Sequence, residues 1–278
     1  AGAKWIEIGF GDLELSSWAM DYQRMNHADL RVMADTTLAI PMLTQLLRAR
    51  IAKDRKLAAR VKARIAAVST KTKARWKKWE AEAREDWDAS PITLPRLATE
   101  VWNAIKGEDW VLTAGTLEEW TRKLWNFDQP WRHAGRSLGT ATQFGISLGV
   151  ALAHREEKRL VVDMQPDGDL MFDAGALWVA AKHRIPMLVV MYNNRAYYND
   201  WEHQIRMAKL RGTPVERAHI GMDMTDPDPD FASLARSMGW YGEGPIDDPK
   251  KVAAALKRAI AKVKAGQPAL IDTITQKR

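Results

Sequence analysis

Two short clusters in this chain hold oxygen donors at a spacing that suits a metal-bound phosphate. Asp167-Gly168 follows an apolar run, Leu160–Met164, and Asn193-Asn194 follows another, Met187–Tyr192. From Asp167 to Asn194 the separation is 27 positions. A carboxylate, an amide oxygen and a free backbone carbonyl are hard donors of the kind that hold Mg²⁺ jointly with a phosphate. Glycine at 168 lets a backbone come close to such a phosphate. Either dipeptide alone is ordinary turn sequence. Two of them, each closing an apolar strand, would share the carboxyl edge of a parallel sheet, where α/β folds bind ligands.

The elements that would position these residues follow from the apolar pattern. Strands are expected at 110–113, 160–164, 187–192 and 269–275. Helices are expected at about 94–105, 117–125, 139–153, 174–182, 198–209, 230–238 and 249–264. Thr93-Leu94-Pro95 reads as a helix start. Continuous apolar strands separated by helices signal an α/β fold, a doubly wound parallel sheet flanked by helices. The N-terminal third reads differently. Residues 4–8 and 30–33 have the look of short strands, and 40–87 that of long, Ala-, Lys- and Arg-rich helix broken near Ser69–Thr72.

Of the 278 residues, 42 are Lys or Arg and 35 Asp or Glu, a formal charge of +7. Residues 45–85 hold 14 basic against 4 acidic side chains, so this one segment makes the protein basic. Such a stretch suits nucleic-acid phosphate, and Trp76 and Trp79 could stack on bases. A solvated helix face anchored to a partner domain by its tryptophans is the simpler reading. The 13 tryptophans point to large buried or interfacial surfaces. The absence of cysteine rules out disulfides, thiolate metal sites and a cysteine nucleophile, and it fits a reducing, cytoplasmic setting. No apolar run is long enough for a transmembrane helix, and no membrane partner is expected.

Pro166-Asp167-Gly168 followed by Asn193-Asn194 resembles the thiamin diphosphate signature, G-D-G and then N-N. It is similar to the C-terminal, diphosphate-binding (PP) domain of the acetolactate synthase and benzoylformate decarboxylase superfamily. Ala176–Ala181, Arg184-Ile185-Pro186, Gly135–Gly139 and the closing Gly266–Asp272 resemble further parts of that domain. The resemblance implies three segments: 1–40 as part of a central domain, 41–90 as a basic helical linker, and 91–278 as the PP domain.

Carried over by position, it implies Mg²⁺ ligation by Asp167, Asn194 and the backbone carbonyl of Ala196. The N–H groups of Gly168, Asp169 and Tyr197 would meet the diphosphate, with Gly115 and Thr116 on its other side. Leu138 would be the apolar wedge that bends the cofactor, and the carbonyl of Arg136 would accept a hydrogen bond from its 4′-amino group. His203 would face substrate and move protons; a surface or packing histidine is the plainer reading. Apart from the resemblance, Arg206–Ile220 is polar, with Gly212 and Pro214, and reads equally as a lid over substrate or as an ordinary surface loop. Two departures stand out. Pro166 replaces the first glycine and removes an N–H. Asp169 replaces a small hydroxyl residue and would repel a diphosphate unless it turns away or pairs with a base such as Arg195.

The family's activity needs a glutamate from a separate pyrimidine-binding (PYR) domain, and nothing in this sequence resembles one. The resemblance therefore implies one part of a heteromeric thiamin diphosphate- and Mg²⁺-dependent C–C lyase or carboligase acting on 2-oxo acids. The partner would be a second polypeptide carrying the PYR domain and most of a central domain, from a separate gene or from the same longer chain, in at least a dimer of heterodimers. A 2-hydroxyacyl-CoA lyase, a cyclic-diketone hydrolase, and a cofactor-binding regulatory subunit without activity remain open. FAD is undecided, because the family's central domain would hold it.

Overall fold

The computed structural model describes residues 2–10, 27–115, 117, 119–135 and 141–277. By their internal contacts these form two units, 1–73 and 74–278.

The first unit opens with β1 (Ile6–Gly9) and β2 (Leu30–Met33), which pair in parallel with Ile6 opposite Leu30. Next come α1 (Thr36–Lys53) and the start of α2 (Arg55–Glu82), which runs on into the second unit. The expected helix break lies at Asp54, not at Ser69–Thr72. Asp54 has extended backbone angles, and its carboxylate accepts from Leu57 N at 3.0 Å, capping α2. Thr70 sends its hydroxyl back to Ala66 O and stays helical. Neither helix buries a side chain.

The second unit contains α3 (Leu94–Ile105), β3 (Trp110–Ala114), α4 (Trp120–Leu124), α5 (Thr142–Ala153) and β4 (Leu160–Pro166). It continues with α6 (Asp167–Phe172), α7 (Ala176–Lys182), β5 (Leu188–Asn193), α8 (Tyr198–Arg211), α9 (Phe231–Ser237), β6 (Tyr241–Ile246), α10 (Pro249–Lys264) and β7 (Ala269–Ile274). The five strands form one sheet in the order β3-β4-β5-β7-β6, and every neighbouring pair is parallel. Thr93 and Asp248 cap α3 and α10 with side-chain oxygens, each with proline in the first turn.

Apolar side chains leave both faces of the sheet. One face, with Leu112, Val162, Met164, Val190 and Ile271, packs against α3 and α10. The other, with Val111, Val161, Val189, Met191 and Leu270, packs against residues of α5, α7 and α9. On the first face Trp110 stands edge-on to Trp102, Trp125 and Phe127 at centroid distances of 5.9, 5.5 and 5.4 Å. The Trp125 indole donates to Ala98 O at 2.8 Å. Among the described residues no helix is long and apolar enough to cross a membrane.

Candidate functional site

A cavity of about 620 Å³ opens at the carboxyl end of the sheet. Its position follows from register. Pro166 pairs with Tyr192 and Asn193 with Ile274, so Asp167 leaves β4 and Asn194 leaves β5 at the same edge. Pro166 closes β4 at φ −73°, which suits its ring, and the chain turns directly into α6.

Asp167, Gly168, Asp169, Asn194, Ala196, Tyr197 and His203 all line this cavity. Asp167 is almost wholly buried. Burial pushes its carboxyl up to about 6, against hydrogen bonds from the N–H groups of Gly168, Ala196 and Arg195; the Ala196 bond is 3.2 Å long. Arg195 takes a left-handed φ of 57° and brings Ala196 back over the carboxylate. The side-chain oxygen of Asn194 is buried without a hydrogen-bond partner. Ala196 bridges Asp223 through bonds made by its neighbours, Tyr197 N to Met222 O and Met224 N to Arg195 O, and its own carbonyl takes part in neither. A carboxylate, an orphaned amide oxygen and a carbonyl that this bridge leaves unused thus line one cavity, from the two turns after β4 and β5. Among the described residues no cluster of three His, Cys, Asp or Glu offers an alternative metal site. A buried acceptor left without a donor costs free energy, and a hard cation would satisfy it. The donor set fits Mg²⁺.

Several expected roles change in detail. The N–H of Tyr197 is donated to Met222 O at 2.7 Å, because the strand-like bridge claims it, so Tyr197 brings its ring to the cavity. A Cβ at Gly168 would stand 2.6 Å from that ring, so the glycine makes room for Tyr197. Gly115, just beyond β3, donates to Met164 O at 2.9 Å, and a Cβ there would meet the Tyr192 hydroxyl at 2.5 Å. Arg195 pairs with Asp228 at 2.9 Å instead of Asp169. Asp169 accepts from Ala141 N at 3.2 Å, and burial raises its carboxyl against that bond. His203 is exposed at the rim, on the face of α8 that also carries Asp200 and Gln204. The first part of Arg206–Ile220 is the end of α8, which runs to Arg211. Thr116, Arg136 and Leu138 lie outside the described residues.

Sequence reasoning passed over Tyr192, Asp200, Gln204 and Gln276, which also line the cavity. The spacing of Asp200, His203 and Gln204 on one helix carried a signal for two of these. Gln276, just past β7, carried none. Also missed was the buried polar layer behind the site, formed by Thr113, Ser147, Asp163 and Gln165. Ser147 donates to Thr113 Oγ1 at 2.8 Å. With its amide oriented to satisfy both groups, Gln165 donates to the Asp163 oxygens at 3.1 and 3.2 Å.

Burial pushes Asp163 up to about 8, with the Asp169 charge adding to the rise. A raised carboxyl favours the fold fully below its unfolded value, near 4, and that contribution is lost as pH climbs through 8. Asp167 and Asp272, each pushed up to about 6, act in the same direction over a lower window. Urea unfolding should therefore show a loss of roughly 2–3 kcal/mol between pH 6 and 8 that Asp163→Asn removes. Parallel wild-type and variant curves over that interval would sink the assignment.

The family model "Thiamine pyrophosphate enzyme, C-terminal TPP binding domain" matches residues 113–273, more than half of the chain. The chain belongs to this thiamin diphosphate enzyme family. IlvX of Mycobacterium tuberculosis, named for an acetolactate synthase large subunit, is 28% identical over 136 residues, which are 49% of this chain and 25% of that protein. The acetolactate synthase isozyme 3 large subunit of Escherichia coli is 29% identical over 152 residues, 52% of this chain and 24% of that one. The chain thus spans about a quarter of the length of these relatives of the thiamin diphosphate family. A thiamin diphosphate-dependent 4-hydroxybenzoylformate decarboxylase of Rhodococcus jostii superposes at a TM-score of 0.55 and 21% identity, over 68% of this chain and 34% of that structure. A benzoylformate decarboxylase of Polynucleobacter necessarius superposes at 0.55 and 17%, with the same coverage. These structures share the parallel α/β fold.

Proposed function

We propose that this chain is the diphosphate-binding part of a thiamin diphosphate- and Mg²⁺-dependent C–C lyase or carboligase acting on 2-oxo acids. A second polypeptide supplies the PYR domain, its glutamate and most of a central domain. The observation that carries this reading is the orphaned Asn194 oxygen beside the Asp167 carboxylate and the Ala196 carbonyl. These three would hold Mg²⁺, and through it the diphosphate. Gly168 and Asp169 at the start of α6 would flank the diphosphate, Gly115 and Thr116 would meet it from its other side, and Arg136 and Leu138 would shape the pyrimidine end. His203, at the rim, would face substrate and move protons. The cofactor supplies an electron sink for carbon–carbon cleavage beside a carbonyl.

Residues 91–278 are the catalytic domain in this reading, 41–90 the linker, and 1–40 a piece of the central domain. The parallel pairing of β1 and β2 agrees with an α/β central domain. The quarter-length match to acetolactate synthase large subunits supports a need for further domains.

Native mass spectrometry of the protein, purified gently from its source in thiamin diphosphate and Mg²⁺, tests both parts. A complex holding cofactor and a second polypeptide is expected. A chain that stays alone and empty with cofactor in excess overturns the proposal and leaves a shared fold.

A further inference from the structure

Helix α5 begins at a residue whose side chain cannot cap it. Its N-cap residue is Ala141, which has no side chain to accept from the first turn and stands in the left-handed region at φ 67°, ψ −5°. Three positions on, where a glutamate could reach back to the N-cap N–H in a capping box, the residue is Phe144, buried in the core. The N-cap N–H is nevertheless met. Asp169 Oδ1 accepts it at 3.2 Å from across the fold. Asp169 lies in the first turn of α6, two residues after Asp167.

A second side chain ties α5 to the sheet deeper in. Ser147 of α5 donates to Thr113 Oγ1 of β3 at 2.8 Å. Side chains on α6 and β3 thus hold α5 at its start and in its middle. An anionic oxygen at the start of α5 is also favoured by the helix dipole.

We propose that Asp169 is a positioning residue: its carboxylate takes the N-cap N–H of α5 and fastens that helix to the turn presenting Asp167. This accounts for an aspartate where a diphosphate site would otherwise disfavour one. One of its carboxylate oxygens is engaged by α5. The tether stands on the hydrogen bond alone. Its effect on cofactor binding rests on the thiamin diphosphate reading.

Hydrogen exchange by mass spectrometry on the whole cofactor-free chain tests the tether. In Asp169→Ala, amides in the first turn of α5 should exchange at least about tenfold faster, the factor that a lost bond of roughly 1.4 kcal/mol gives. Exchange in α10 should be unchanged, which shows that the variant is folded. Asp169→Asn keeps an acceptor oxygen and should restore protection. Unchanged exchange in Asp169→Ala, or failure of asparagine to rescue, overturns the proposal. Calorimetric titration with thiamin diphosphate and Mg²⁺ separates the two readings. Weaker binding in Asp169→Ala, with recovery in Asp169→Asn, is expected. No binding even by wild type, with α5 still responding in exchange, would sink the cofactor reading and leave the tether intact.

Discussion

Asp167→Ala should cut Mg²⁺-dependent affinity for thiamin diphosphate by at least about a hundredfold, while changing stability by roughly 1 kcal/mol or less. The two effects separate for a physical reason. In the fold Asp167 is a buried acid whose carboxyl has been pushed up to about 6, so ionising it at neutral pH costs about 3 kcal/mol relative to an exposed aspartate. Removing it recovers that cost. It also strands the N–H groups of Gly168, Ala196 and Arg195, which costs a similar amount. The near-cancellation leaves the fold in place. Binding has no such offset, because the anionic oxygen beside Asn194 is gone. Calorimetric titration with and without EDTA, together with urea unfolding of the same variant, gives both numbers. Affinity within a few-fold of wild type would refute the metal assignment. Asn194→Ala should act in the same direction.

Trp110→Ala should destabilise the second unit by about 4 kcal/mol. The side chain is 1% exposed and central among Trp102, Trp125 and Phe127, with the Arg132 guanidinium 4.8 Å from its ring centroid. Truncation would open a cavity bounded by rings that cannot all collapse into it. It would also remove the edge-to-face contacts, each worth about 1 kcal/mol. Trp110→Phe, which keeps a ring, should cost less than half as much. Urea unfolding followed by circular dichroism reads the difference. A loss below about 1 kcal/mol would mean that the cluster is incidental to stability.

What the sequence disclosed, and what it hid, divides along lines of range. Helices α3 and α10 were legible because their caps, Thr93 and Asp248 with prolines beside them, are local chemistry. β5 was legible because the six residues between Ile185-Pro186 and Asn193-Asn194 are nearly all apolar. β6 was not anticipated. Tyr-Gly-Glu-Gly-Pro-Ile has the composition of a turn, and it is a strand because β7 offers it an edge, where proline and glycine are tolerated. The helix break was misplaced because the choice between Asp54 and Ser69–Thr72 depends on which polar side chain caps and which bonds backward. At the site, Asp167 and Asn194 could be found from spacing. The N–H of Tyr197 could not be seen to be engaged, nor Arg195 to choose Asp228, because those partners come from a distant segment. Ser147, Asp163 and Gln165 were invisible for the same reason: each looks ordinary until the sheet brings them together.

The all-parallel sheet has a consequence in time as well as in space. No two of its strands can meet through a tight hairpin; Leu188 of β5, for example, waits for Ala269 of β7. A long stretch of chain must be closed, at an entropic loss, before any such pairing is rewarded. Refolding from denaturant should accordingly be slow for a domain of this size. During the wait its strand edges and apolar faces are open to other copies. Yield should then depend steeply on dilution, and synthesis from the N-terminus leaves this sheet unfinished until β7, the last of its strands in chain order, has emerged.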